Sequence, residues 1–193
     1  MKKNMLNFKR ILTTLKNQNV HFVLIGGRAA VVQGSAYPTY DIDICYARDK
    51  ENLENIIKAL APFHPYLRGA PKDLPFIFDV KTLHIGLNFT FSTDIGDIDI
   101  LGEVQGIGNY EDVVQYSEII EIYGMPCSVL TVEGLIKSKK AIRRPKDEPI
   151  IKEMEAILEI HQQQEKKEVK KLCHQKSKNM NKKINGLNNM KRI

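Results

Sequence analysis

Between Val20 and Tyr46 the chain reads VHFVLIGGRAAVVQGSAYPTYDIDICY. Its most constraining feature is the alternation Asp41-Ile42-Asp43-Ile44. Side chains on a strand alternate with a period of two, so this pattern specifies a strand with one apolar and one acidic face. Both carboxylates leave the same side. Held that close, they repel one another unless protons, an Arg or Lys, or a divalent cation stands between them. Upstream, the apolar run Val20 to Ile25, bounded by Asn19 and Gly26, predicts a buried strand. The pair Gly26-Gly27 then leads into a short helix over 28–33, and backbone N–H groups at such a turn are placed to receive phosphate.

The flanking segments predict the scaffold. Residues 4–18 place Phe8, Ile11, Leu12 and Leu15 at helical spacing, which is an amphipathic helix. Asp49 is an N-cap for a helix carrying Leu53, Ile56, Ile57 and Leu60, ended by Pro62 and Pro65. Residues 61–78, with four prolines, read as an irregular excursion, and Asp79 to Leu83 as one helical turn. Residues 86–91 and 97–101 read as a hairpin. A helix follows near Tyr110 to Tyr116. Glu118 to Tyr123 and Cys127 to Leu130 are strands around a Gly124-Met125-Pro126 turn. Thr131 caps a helix over 132–142. Arg143 to Lys146 is a basic connector, and Asp147 is a cap for a last helix carrying Met154, Ile157, Leu158 and His161. The fold class is α+β: a small mixed sheet with helices packed on one side, a C-terminal helix and a basic tail.

The hairpin's second strand, Gly96-Asp97-Ile98-Asp99-Ile100-Leu101, repeats the acidic period-two pattern, so Asp97 and Asp99 share a face. Phosphate at a glycine turn and a cation held by acids is the layout of a phosphoryl- or nucleotidyl-transfer site. On Ile25-Gly26-Gly27, then thirteen residues, then Asp41-Ile42-Asp43-Ile44, then Ile98-Asp99-Ile100, the chain resembles the nucleotidyltransferase superfamily related to DNA polymerase beta. More narrowly, it is similar to the bacterial minimal nucleotidyltransferases, some of which belong to toxin–antitoxin modules. The resemblance spans about residues 20–160. Gly27 stands where many members have Ser, and Tyr37-Pro38 precede Thr39 where a basic residue is common.

The resemblance implies a polymerase beta-like fold and transfer of a nucleoside monophosphate from an NTP, with ATP first in line, to a hydroxyl, with release of pyrophosphate. It implies Asp41, Asp43 and Asp99 as catalytic residues and as ligands of two Mg²⁺ ions, with Mn²⁺ as a substitute. For the third acid, Asp99 is flanked by Ile98 and Ile100 as the motif asks, whereas Asp97 follows Gly96 at the head of the strand; Asp99 is chosen, and Asp97 stays open. Gly26, Gly27, Arg28, Thr39, Lys139 and Arg144 are the candidate nucleotide contacts, with Lys146 beside them. The acceptor is an RNA end, a partner protein's side chain or a small molecule. A toxin–antitoxin partner is the implied protein partner.

Composition narrows the remaining classes. No run approaches the ~18 apolar residues of a membrane span, and the basic N-terminus lacks the apolar core and cleavage site of a signal peptide; the expected location is the cytoplasm. The formal charge of +6 is local. Residues 165–193 hold ten Lys/Arg against two Glu, which leaves residues 1–164 at −2. The expected division is therefore a domain over 1–164 and a Lys/Asn-rich tail over 165–193, disordered beyond a helical extension. Cys45, Cys127 and Cys173 form no CxxC, so no zinc site or disulfide framework is expected. Cys45 is expected to alternate with the acids and face the core. His21, His64, His84, His161 and His174 make no ligand spacing. Two other readings remain: a non-catalytic nucleotide-binding or antitoxin-like module, and a polyanion-binding protein acting through its basic tail.

Overall fold

The apolar and alternating runs of the sequence become strands, alongside shorter, more polar ones. In the computed structural model, which describes residues 2–71, 74–164 and 166–167, these are β1 (Phe22–Ile25), β2 (Ile42–Tyr46), β3 (Tyr66–Leu67), β4 (Asn88–Thr93), β5 (Gly96–Leu101), β6 (Glu103–Val104), β7 (Gly108–Asn109), β8 (Ser117–Ile122) and β9 (Met125–Leu130). Seven of them form one mixed sheet in the order β3-β4-β5-β2-β1-β9-β8, and β6 and β7 form a separate ribbon. The mixed α+β architecture agrees with the expected class. Of the central pairs, β1–β2 is antiparallel, while β2–β5 and β1–β9 are parallel.

The helices arise where the apolar period is helical. They are α1 (Lys2–Asn17), α2 (Gly26–Val32), α3 (Lys50–Leu60), α4 (Val80–Ile85), α5 (Tyr110–Gln115) and α6 (Val132–Ile142). Phe8, Ile11, Leu12 and Leu15 of α1 are all buried, as are Leu53 and Ile56 of α3, and the two helices pack together. Asp49, Asp79 and Thr131 each accept a backbone N–H at a helix start. Such caps satisfy donors that the first helical turn leaves free.

The structure corrects several expectations. Residues 61–78 are not simply irregular: Ala61–Phe63 is a 3-10 turn and Tyr66–Leu67 pairs with β4 as β3. The turn between β8 and β9 is Tyr123-Gly124, both at positive φ (54° and 79°). Two such residues make the turn whose twist matches that of the flanking strands, so Met125 and Pro126 are released into β9. Helix α2 starts at Gly26 itself. Cys45 lies on the parity of Asp41 and Asp43 rather than opposite them. It is buried because α5 covers that end of the acidic face, and burial first, with Glu111 adding to it, pushes its thiol up to about 12. Strand β1 is buried at every position, so the sheet's centre is covered on both faces.

The chain divides into two units, 1–155 and 156–193. The first ends within a helix that begins at residue 148, and the second is helical over its described residues. The expected boundary after residue 164 falls inside the second unit. The expectations of disorder and polyanion contact concern a tail of which residues 165 and 168–193, with Cys173 and His174, lie outside the described residues. No described helix is long and apolar enough to cross a membrane.

Candidate active site

The strand register assembles the acids. Parallel pairing of β2 with β5 sets Asp43 directly opposite Asp99, with Ile42 opposite Ile98 and Ile44 opposite Ile100. The isoleucines are fully or almost fully buried, so the alternate positions, Asp41, Asp43, Asp97 and Asp99, share the other face. On the far side of β2, Asp43 is registered with Ile25, the last residue of β1. That places the Gly26 turn over the carboxylate. Gly26 has a φ of +63°, and a Cβ built on it would collide with Oδ2 of Asp43. A glycine is required there twice over, by backbone angle and by space.

The N–H of Gly27 donates to the Asp43 carboxylate. A Cβ on Gly27 would come within 2.5 Å of Thr39 Oγ1. Thr39 thus fills the space that a Ser side chain at position 27 would need, which accounts for glycine at this place. The loop carrying Thr39 is anchored at its start. Ser35 Oγ and the Ala36 N–H both donate to Glu153, at 2.5 and 2.9 Å. These hydrogen bonds, the Ser35 one foremost, hold the Glu153 carboxyl below its usual range.

Four carboxylates on one face need positive charge, and Arg68 supplies it. Its Nη2 donates to both oxygens of Asp99 at 2.7 and 2.8 Å, and its Nη1 reaches Asp41 and Asp97 at 3.4 Å each. Arg68 follows β3, and its backbone N–H donates to Thr90 of β4, which is registered with Asp99. The guanidinium is therefore aimed by two consecutive strand pairings. Sequence reasoning missed Arg68, because it sits in the proline-rich stretch between Leu67 and Gly69, where no periodicity marks it. The signal for it was indirect: an all-acidic strand face predicts a basic residue opposite.

The electrostatics divide the cluster. Among the described residues Asp43 has no ion pair within 4 Å. Burial, then the charges of Asp99 and Asp41, push its carboxyl up to about 6, against the Gly27 hydrogen bond and the more distant charge of Lys139. Asp99 is also raised, chiefly by burial, even with Arg68 bound to it. Among the described residues no three His, Cys, Asp or Glu side chains are gathered into a metal-holding group. In chemistry the set is nevertheless all hard oxygen donors, and Asp43 lacks a counter-charge, the condition a hard divalent cation relieves.

The other predicted contacts are dispersed. Lys139 is mostly buried, with Nζ 3.2 Å from Asp147 Oδ1, and its charge acts on Asp43. Asp147, expected as a helix cap, directs its carboxylate to this lysine instead. Arg28 lays its guanidinium 5.0 Å from the Phe8 ring, an arrangement that joins α2 to α1. Arg144 is exposed at the head of a 3-10 turn. The Lys146 side chain lies outside the described set. Asp41, Asp43, Asp99, Gly26, Gly27 and Thr39 thus come together, with Lys139 near them, while Arg28 turns toward α1 and Arg144 toward solvent.

No family model matches the chain, and no curated protein matches it. Solved structures do share its fold. One is a Thermotoga maritima protein described as a nucleotidyltransferase, 19% identical with a TM-score of 0.50, the match covering 76% of this chain and 88% of that one. Another is the lincosamide antibiotic adenylyltransferase LnuA bound to lincomycin, 16% identical with a TM-score of 0.53, covering 78% and 96%. At these identities the likeness establishes architecture alone: the chain shares its fold with these two proteins.

Proposed function

We propose that this protein is a nucleotidyltransferase that moves a nucleoside monophosphate, AMP first among them, from a nucleoside triphosphate to a hydroxyl acceptor. The observation that carries the reading is the pairing of Asp43 with Asp99 across β2 and β5, with Asp41 at the head of β2 and a glycine turn above. In the reaction the acceptor oxygen forms a bond to the α-phosphorus, the bond from that phosphorus to the bridging oxygen breaks, and pyrophosphate leaves with it. Asp41, Asp43 and Asp99 would hold a divalent cation, Mg²⁺ by their hard-donor character, which supplies charge neutralisation at phosphate oxygens. Asp99 takes the acceptor side, where the hydroxyl gives up its proton to solvent as its bond to phosphorus forms. Backbone N–H groups at the Gly26–Gly27 turn serve as phosphate contacts, and Lys139 adds positive charge that acts on Asp43.

The acceptor is proposed from the surroundings. A cavity of about 290 Å³, lined by Tyr66, Leu67, Ala70, Pro71, Leu74 and Phe76, lies against the strand that leads into Arg68. Its apolar lining supports a small-molecule acceptor, in keeping with the antibiotic adenylyltransferase of the same fold, alongside an RNA end or a protein side chain. A second reading is supported by Arg68. A guanidinium bonded to both oxygens of Asp99 supplies the charge a metal would, and such a site suits a silent nucleotide-binding module.

Incubation with Mg²⁺ and each α-labelled NTP, with RNA, protein and small-hydroxyl acceptors, separates the two. Label transfer with pyrophosphate release, lost in Asp43→Asn, is the expected result. Tight NTP binding with no transfer to any acceptor selects the silent module.

A further inference from the structure

We propose that Asp147 is a positioning residue: it holds the Lys139 ammonium poised for the triphosphate and keeps it from collapsing onto Asp43. This rests on the nucleotide-binding reading above and adds to it the device that sets the lysine. The Lys139–Asp147 pair is 3.2 Å apart, and the two side chains are only 15% and 11% exposed. Taking an ammonium out of water is costly unless a partner of opposite charge is fixed beside it. Two acids compete for it. Asp147 has it within hydrogen-bond reach, while Asp43 feels its charge without pairing to it.

The backbone explains why Asp147 wins. Helix α6 ends at Arg143 in the left-handed conformation (φ 55°), and the chain turns at once into the 3-10 turn Pro145–Asp147. Pro145 fixes its own φ, and the Asp147 N–H closes the turn on the Arg144 carbonyl at 2.9 Å. The carboxylate is thereby carried on a rigid support beside the last turns of the helix that bears Lys139. On Asp43 the ammonium would occupy the carboxylate that the cation requires. Held by Asp147, it leaves Asp43 open, on a helix that packs against α2, whose first residues are Gly26 and Gly27. Asp147 touches neither nucleotide nor acceptor in this scheme and acts through Lys139 alone.

The test uses the full-length protein, with Lys139→Met, Asp147→Asn, Asp147→Glu and the Lys139→Met/Asp147→Asn double variant. Binding of ATP and of its α,β-methylene analogue with Mg²⁺ is measured by calorimetry, and the Lys139 ammonium is followed by ¹⁵N NMR without nucleotide. Asp147→Asn is expected to weaken Mg²⁺–ATP binding about tenfold, the scale of one charged hydrogen bond, and to raise KM more than it lowers kcat. Asp147→Glu restores most of the loss, and the double variant binds no worse than Lys139→Met. In NMR the ammonium signal of the parent protein moves or broadens in Asp147→Asn. An unchanged ammonium signal in Asp147→Asn overturns the proposal, as does an Asp147→Asn penalty that persists undiminished without Lys139. Should Asp147→Asn not fold, an Asp147→Glu variant that folds with neither signal nor affinity altered supports a charge-holding role, and one that loses affinity while Lys139→Met keeps it overturns it. Failure of the parent protein itself to bind either nucleotide removes the nucleotidyltransferase reading, while the NMR comparison still decides whether Asp147 sets the lysine.

Discussion

Asp43 and Asp99 stand directly opposite each other on parallel neighbouring strands, yet only Asp99 is paired with a cation. Removing the charge of Asp43 is expected to separate function from folding. Asp43→Asn should reduce nucleotidyl transfer by about a thousandfold or more, the scale seen when an electrostatic element of a transition-state site is deleted. The metal-free variant should unfold at a temperature equal to or above that of the parent, because a buried, repelled carboxylate has been relieved. Transfer assays and thermal melts in EDTA measure both.

The pH dependence of metal-free stability follows from the same residue. An unfolded Asp titrates near 3.8, and burial followed by the Asp99 and Asp41 charges pushes folded Asp43 up to about 6. Between those values the folded state binds the extra proton, so this group's contribution makes stability rise as pH falls from about 7 to about 4. The magnitude is on the order of 2–3 kcal/mol at most. Denaturant melts across this window in EDTA should show the rise, and Asp43→Asn should flatten it. Saturating Mg²⁺ should also remove it.

Arg68 is the counter-charge of the cluster, and its removal should act in opposite directions on the two states. Arg68→Met leaves Asp41, Asp97 and Asp99 without their shared guanidinium. The metal-free protein should melt several degrees lower, whereas Mg²⁺ should bind more tightly because no fixed cation competes for the carboxylates. Calorimetric titration with Mg²⁺ reads the second effect. Weaker Mg²⁺ binding in Arg68→Met would show that the arginine organises the carboxylates for metal rather than competing with it.

Gly26 tolerates nothing larger. Gly26→Ala must hold a left-handed φ and displace the Asp43 carboxylate. The backbone angle alone costs about 1–2 kcal/mol, and transfer activity should fall with it because Asp43 moves. Denaturant unfolding and turnover are expected to decline together.

Asn52 shows what holds the scaffold behind the site. This side chain is buried in α3, donates to the carbonyls of His21 and Ala47, and accepts the His21 N–H. It joins the start of β1 to the end of β2. Asn52→Ala should destabilise the fold by roughly 2–4 kcal/mol, because the His21 N–H and the Ala47 carbonyl lose their partner and the His21 carbonyl keeps only the Ala47 N–H. The Mg²⁺ requirement of the protein that remains folded should be unchanged.

How much of this was legible in the sequence depended on whether the cause was local. The acidic strands were readable because the period of two is written in consecutive residues such as Asp41-Ile42-Asp43-Ile44. The caps at Asp49 and Thr131 were readable for the same reason. Arg68 was not, since its place depends on β3 meeting β4 and β4 meeting β5, a chain of pairings that no local window contains. The Lys139–Asp147 pair was hidden behind an equally good local use of Asp147 as a cap. The turn at Tyr123-Gly124 escaped notice because Pro126 drew the expected turn toward itself.

Strand β3 has only two residues, and among the described residues its one strand neighbour in the sheet is β4, whereas β2 and β5 lie deep within the array. The acids and their guanidinium are therefore mounted on parts of very different firmness. Withdrawing Arg68 takes the loosening of two ladder pairs at the rim and of its own N–H bond to Thr90, while Asp43 and Asp99 keep their register. The net charge presented to a ligand can change by a full unit without any rearrangement of the central framework.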